Sequence, residues 1–181
     1  MKRIYCTLVL AVFILFVSCK KAVSDLPVPT QTGANTFGCK VDGQFWVPAG
    51  FGIVPTSPIL EARYLPGWDI IINARNFSSS PTESEFEIHL KSVKTAGLYL
   101  LNSNTEKYPS QTGNYAYYVL RKILPLNEWI TDTQYTGQVE VTKTDTLNKI
   151  ISGTFQFTAT NLYNTPQPIS VTEGRFDVKI Q

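Results

Sequence analysis

Histidine and cysteine, the residues that most often build reactive or metal-bearing centres, are scarce: one His and three Cys in 181 residues. A single imidazole excludes His-rich zinc sites and argues against a Ser-His-Asp triad. C-x-x-C, H-E-x-x-H, the P-loop and G-x-G-x-x-G are all missing, so the sequence assigns no catalytic, cofactor-binding or metal-binding residue. Charge is sparse as well, at 17% of residues, and 16 Lys+Arg against 14 Asp+Glu give +2. That balance argues against a nucleic-acid partner held by phosphate contacts. Long apolar runs are absent too. The longest stretch, Ile4 to Val17, is broken by Thr7 and falls short of the ~20 residues that cross a bilayer core.

What is present begins with an address. Lys2 and Arg3 precede that apolar stretch, and length and flanks together fit a secretory signal peptide over residues 1–18. Phe16-Val17-Ser18-Cys19 resembles the bacterial lipobox, with Phe16 where Leu is usual. The resemblance implies that Cys19 is acylated and becomes the first residue, anchoring the chain to a membrane through its acyl chains. Lys20 stands where an Asp favours inner-membrane retention in enterobacterial lipoproteins, which directs the expectation to the outer membrane. Loss of Lys2 and Arg3 with the signal peptide brings the side-chain balance to zero. Cys6 is then discarded and Cys19 modified, so Cys39 has no disulfide partner within the domain and reads as a buried small hydrophobe on a strand.

Residues 19–36, with two prolines and many small polar side chains, read as the lipidated Cys followed by a flexible linker, and residues 37–181 as one domain. From Phe37 onward the dominant period is two. Asp42-Gly43 between alternating runs signals a tight hairpin. Ile70-Ile71-Ile72 predicts a strand covered on both faces. Residues 85–91 alternate throughout, which outweighs the capping-box pattern at Ser80–Glu83 and predicts a strand with Phe86, Ile88 and Leu90 inward. Val139 and Val141, then Phe155, Phe157 and Ala159, mark further strands, and Gly174 permits a bulge in the last. Eight to ten strands without βαβ alternation predict an all-β antiparallel sandwich, or a flattened barrel.

His89 shares its alternation face with Glu85, Glu87 and Lys91 and so reads as a solvated residue. Asp69, Glu61, Glu128 and Asp132 are scattered carboxylates. Asp132 and Asp145 lack calcium-loop spacing. The aromatics, 12% of the chain, are the best functional lead. Trp46, Trp68, Trp129, Tyr115 and Tyr117 fall at strand ends or beside the polar loops that hold Tyr108, Asn104 and Gln111. Flat rings next to amides suit stacking on sugar faces; the plainer reading of the same rings is core and rim.

Phe37-Gly38-Cys39-Lys40-Val41-Asp42-Gly43-Gln44-Phe45-Trp46-Val47-Pro48 resembles the opening of a group of small lipoproteins from Bacteroidetes-type bacteria. Ile151–Ala159 and Val171–Val178 are similar to their closing strands. These are uncharacterised domains, so the resemblance implies a β-sandwich and an envelope location but no activity. The expectation is a cell-envelope lipoprotein, non-enzymatic, that binds a glycan or an envelope protein. The alternative is a surface-anchored, glycosidase-like hydrolase using loop carboxylates.

Overall fold

Asp42 and Gly43 adopt φ of 48° and 79°, the two positive values a type I′ turn requires. They join β1 (Thr36–Val41) to β2 (Gln44–Trp46). The computed structural model describes residues 24–50, 58–78, 83–103, 113–121, 127–163 and 167–181. Nine more strands follow: β3 (Leu60–Leu65), β4 (Asp69–Asn76), β5 (Ser84–Leu90), β6 (Gly97–Leu101), β7 (Tyr115–Leu120), β8 (Asn127–Ile130), β9 (Gly137–Asp145), β10 (Ile150–Asn161) and β11 (Ile169–Lys179). No helix occurs among the described residues.

Every ladder is antiparallel, in the order β2-β1-β11-β10-β8-β7-β5-β4-β3, with β9 on β10 and β6 on β9. The long strand β10 joins the two halves. Ile150–Phe157 pair with β9, whereas Thr160 and Asn161 pair with β8. At the other side the C-terminus meets β3, where Gln181 N donates to the Ala62 carbonyl at 2.8 Å. The sheet is thus curled into a half-barrel, the shape of a sandwich or flattened barrel.

The bulge at Gly174 is real and is seen from both neighbours. Between Gly174 and Val171 the register advances three residues on β11 and two on β10, and β1 shows the same slip. Glu173, at φ 54°, takes the left-handed position.

Inside the curl, aromatic rings form a continuous spine. Trp46 meets Phe86 edge-on at 4.7 Å, Phe86 meets Tyr118 at 4.6 Å, and Phe37 meets Phe155 at 5.1 Å. Burial of each such side chain contributes roughly 1.5–3 kcal/mol. Ile70, Ile71 and Ile72 are all buried, as a strand covered on both faces demands. A smaller cluster of Tyr115, Tyr117, Val119 and Ile130 lies apart from the main core. Tyr115, Tyr117 and Val119 alternate along β7 with Ala116 and Tyr118 of the main core.

Two expectations are corrected. His89 lies on the predicted strand but is 1% exposed, because Tyr115 packs over it at 5.1 Å. The stretch read as a flexible linker is, from Leu26 on, part of the body. Leu26 is buried, and Asp177 on β11 gathers the following residues. One carboxylate oxygen accepts from Thr30 Oγ1 (2.6 Å), Thr32 N (3.0 Å) and Ala34 N (3.0 Å), and the other from Gly33 N (2.8 Å) and Ser152 Oγ (2.7 Å). Although burial pushes the Asp177 carboxyl upward, these donors prevail and hold it well below the usual carboxylate range.

Candidate functional site

Pro66, Gly67 and Trp68 close the β3–β4 hairpin between the paired residues Leu65 and Asp69. The turn needs two left-handed residues in succession, and it has Gly67 at φ 87° and Trp68 at φ 68°. Glycine adopts that conformation freely; tryptophan does so at a cost of about 1–2 kcal/mol. The neighbouring corner supports it. Val93 N donates to the Trp68 carbonyl (2.8 Å) and Ser92 N to Asp69 Oδ1 (2.9 Å). Ser92 is itself left-handed, at φ 53°. The outcome is a pinned hairpin tip carrying an indole 47% exposed, its ring edge-to-face with Tyr64 at 5.6 Å.

Behind the tip lies a polar row. Asp69 Oδ2 stands 3.7 Å from His89 Nε2. His89 Nδ1 is 2.8 Å from the Gly113 carbonyl, which can only accept, so Nδ1 carries a proton. His89 Nε2 is buried without a hydrogen-bond partner, as is Asn73 Nδ2 two residues along the same face of β4 from Ile71, the residue opposite His89. Tyr115 hydroxyl donates to Glu87 Oε1 at 2.7 Å. Asn114 bridges the two halves of the curl, accepting from Lys91 N (2.8 Å) and donating to the Leu100 carbonyl (3.0 Å). An exposed indole face beside a carboxylate matches the chemistry of sugar recognition, stacking on C–H surfaces with an acceptor for hydroxyls.

The structure separates the five aromatics singled out in the sequence. Trp46 and Trp129 are buried, with both indole N–H groups satisfied by Ser84 Oγ (2.8 Å) and the Gln167 carbonyl (2.9 Å). Tyr115 and Tyr117 are buried in the smaller cluster. Buried rings have no free face, so these four are core and rim residues, and of the five Trp68 alone presents a stacking surface. Tyr108, Asn104 and Gln111 lie outside the described residues, as does Cys19.

The scattered carboxylates are engaged singly. Glu61 pairs with Arg75 at 3.0 Å, Glu128 accepts from the Tyr163 hydroxyl at 3.3 Å, and Asp132 Oδ1 caps its own turn by accepting from Gln134 N and Tyr135 N. Among the described residues no three of His, Cys, Asp and Glu gather as a metal site. Sequence reasoning missed the approach of Asp69 to His89 and the Asp177 hub. Ile70 beside Asp69 hinted at the strand that places the first; no local pattern marked the second.

The fold is therefore an all-β antiparallel half-barrel whose most distinctive exposed feature is one strained aromatic turn. Residues 70–178 match the family described as Domain of unknown function (DUF6252), and the chain belongs to that family. The matched segment runs from β4 into β11, so β1–β3 and Trp68 precede it. No curated protein and no solved structure matches the chain.

Proposed function

We propose that this chain is a lipid-anchored module of the cell envelope that binds a ligand without transforming it, with a glycan as the ligand class and Trp68 as the contact. The observation that carries the reading is the strain at Trp68. A bulky residue held left-handed at a tip, with its ring outward, is retained where the ring has a task that glycine or asparagine cannot perform. Asp69 supplies the acceptor beside it, and the bonds from Val93 and Ser92 keep the platform rigid, which reduces the entropy lost on binding.

Acylation of Cys19 supplies the anchor and an outer-membrane location. Because Leu26 is already docked, the leash from Cys19 to Asp25 spans at most about 25 Å. The domain then rides close to the lipid surface rather than on a long stalk.

A glycan array probed with the purified protein and with Trp68→Ala tests the reading. The expected result is retention of one glycan class by the wild type and a loss of at least tenfold in the variant, with unchanged circular dichroism. Absence of glycan binding would refute the ligand class. Hydrolysis of a bound glycan would refute the non-catalytic reading.

A further inference from the structure

His89 is the one imidazole of the chain, and it lies in the interior with half of its ring engaged. Nδ1 donates to the Gly113 carbonyl (2.8 Å), while Nε2 has no hydrogen-bond partner among the described residues. Native folds retain few buried polar atoms in that condition, because each is destabilising. The group that Nε2 faces is Asp69 Oδ2, at 3.7 Å, on a carboxylate that is itself largely buried. An unprotonated Nε2 would set two acceptors against each other there. A proton on Nε2 turns the same contact into a charge-assisted bond, which closes to about 2.8 Å. The other titratable or charged side chains on this face, among the described residues, are Glu87 and Lys91 two positions either side of His89, Tyr115 and Tyr117 of β7, and Arg63 of β3 opposite Ile71. Glu87 takes the Tyr115 hydroxyl, and Lys91 and Arg63 are exposed. Asp69 is the one in ion-pair contact with the ring.

We propose that His89 and Asp69 form a proton-operated clasp on the Trp68 turn. In acid, Nε2 takes a proton from solvent and donates it in a hydrogen bond to Asp69 Oδ2, while Ser92 N holds Oδ1. Asp69 is then fixed at both oxygens, and the Gly113 bond extends the clasp across the start of β4, the end of β5 and the residues that lead into β7. As pH rises the proton returns to solvent, Oδ2 is released, and the Ser92 bond alone steadies the carboxylate. Trp68, left-handed and directly before Asp69, is the residue whose setting changes with the clasp. The clasp belongs to the turn and operates without a ligand. Its consequence rests on the glycan reading: Oδ2 is the acceptor beside the indole, so acid withdraws it from a ligand hydroxyl.

Nuclear magnetic resonance on the isotope-labelled full-length protein in detergent micelles, with no ligand added, tests the clasp apart from the glycan reading. A single imidazole signal is followed from about pH 8 to about pH 5, the range in which histidine is the side chain that ordinarily changes charge. The Ser92 amide and the Trp68 indole N–H, identified by its loss in Trp68→Phe, are followed beside it. The expected result is one shared midpoint for all three, while the buried indoles of Trp46 and Trp129 stay still. In Asp69→Asn the side-chain oxygen still accepts from Ser92 N and the amide NH2 donates to the unprotonated Nε2, so the clasp is closed at every pH. The pH-dependent shifts of Trp68 and Ser92 then shrink at least fivefold. An imidazole that does not titrate would overturn the proposal, as would one that titrates while Trp68 and Ser92 stay still. Equal movement of Trp46 and Trp129, or an undiminished response in Asp69→Asn, would overturn it as well.

Discussion

Replacing Asp177 by Asn gives the sharpest view of what holds the N-terminal stretch to the domain. The carboxylate accepts five hydrogen bonds of 3.0 Å or less and is 1% exposed. An amide has one acceptor oxygen. Turned one way, its NH2 confronts the N–H groups of Thr32 and Ala34; turned the other way, that of Gly33. Either orientation leaves buried donors facing a donor. Each orphaned buried group costs about 1–3 kcal/mol, and the bonds to a charged acceptor are lost as well, so the total is about 3–5 kcal/mol. For a domain of this size that lowers the melting temperature by roughly 8–15 °C, measured by circular dichroism. Amide exchange at residues 32–34 accelerates in parallel. The pH dependence has a definite sign. The native carboxyl titrates below its unfolded value, so its stabilisation is present above about pH 4 and disappears as acid protonates it. The difference between wild type and Asp177→Asn is therefore widest near neutrality and closes at low pH. A shift under about 2 °C, with unchanged exchange at 32–34, would refute this reasoning.

Trp68→Asn relieves a left-handed tryptophan with a residue that tolerates the conformation, at the loss of one edge-to-face contact. Its melting temperature stays within the equivalent of about 1 kcal/mol of the wild type, while ligand binding is lost. Gly174→Ala places a Cβ into the Phe155 ring, and overpacking of this kind costs about 1–3 kcal/mol; a lowered urea midpoint checks it. Burial pushes the Cys39 thiol far above its usual range, so iodoacetamide at pH 8 leaves Cys39 unmodified in the native protein and alkylates it in guanidinium. Rapid native labelling would show that β1 is not covered as described.

Much of the fold was legible because its signals are local. Asp42-Gly43 specified a turn from two residues, and Phe86, Ile88 and Leu90 set the orientation of β5 by alternation alone. Gly174 marked a bulge that all three strands around it accommodate. His89 shows where alternation stops being informative. It correctly placed the residue on the face opposite Ile88 but carried no knowledge that Tyr115, from a strand twenty-six residues on, covers that face. The aromatics failed for the same reason. Position at a strand end does not say whether a ring turns in or out, and Trp46 and Trp129 turn in because their N–H groups find Ser84 and Gln167 there. Asp177 was the least legible, since the residues it gathers lie 143 to 147 positions away. Proline and small polar residues in 24–35 have the composition of a tether, and it is distant partners, the Asp177 carboxylate foremost, that make them part of the domain.

Mass spectrometry of the protein isolated from its native membranes tests the central claim most directly. The expected result is an N-terminal peptide that begins at Cys19 and carries diacylglycerol in thioether linkage. A free thiol at that position, or a mature N-terminus elsewhere, would contradict it.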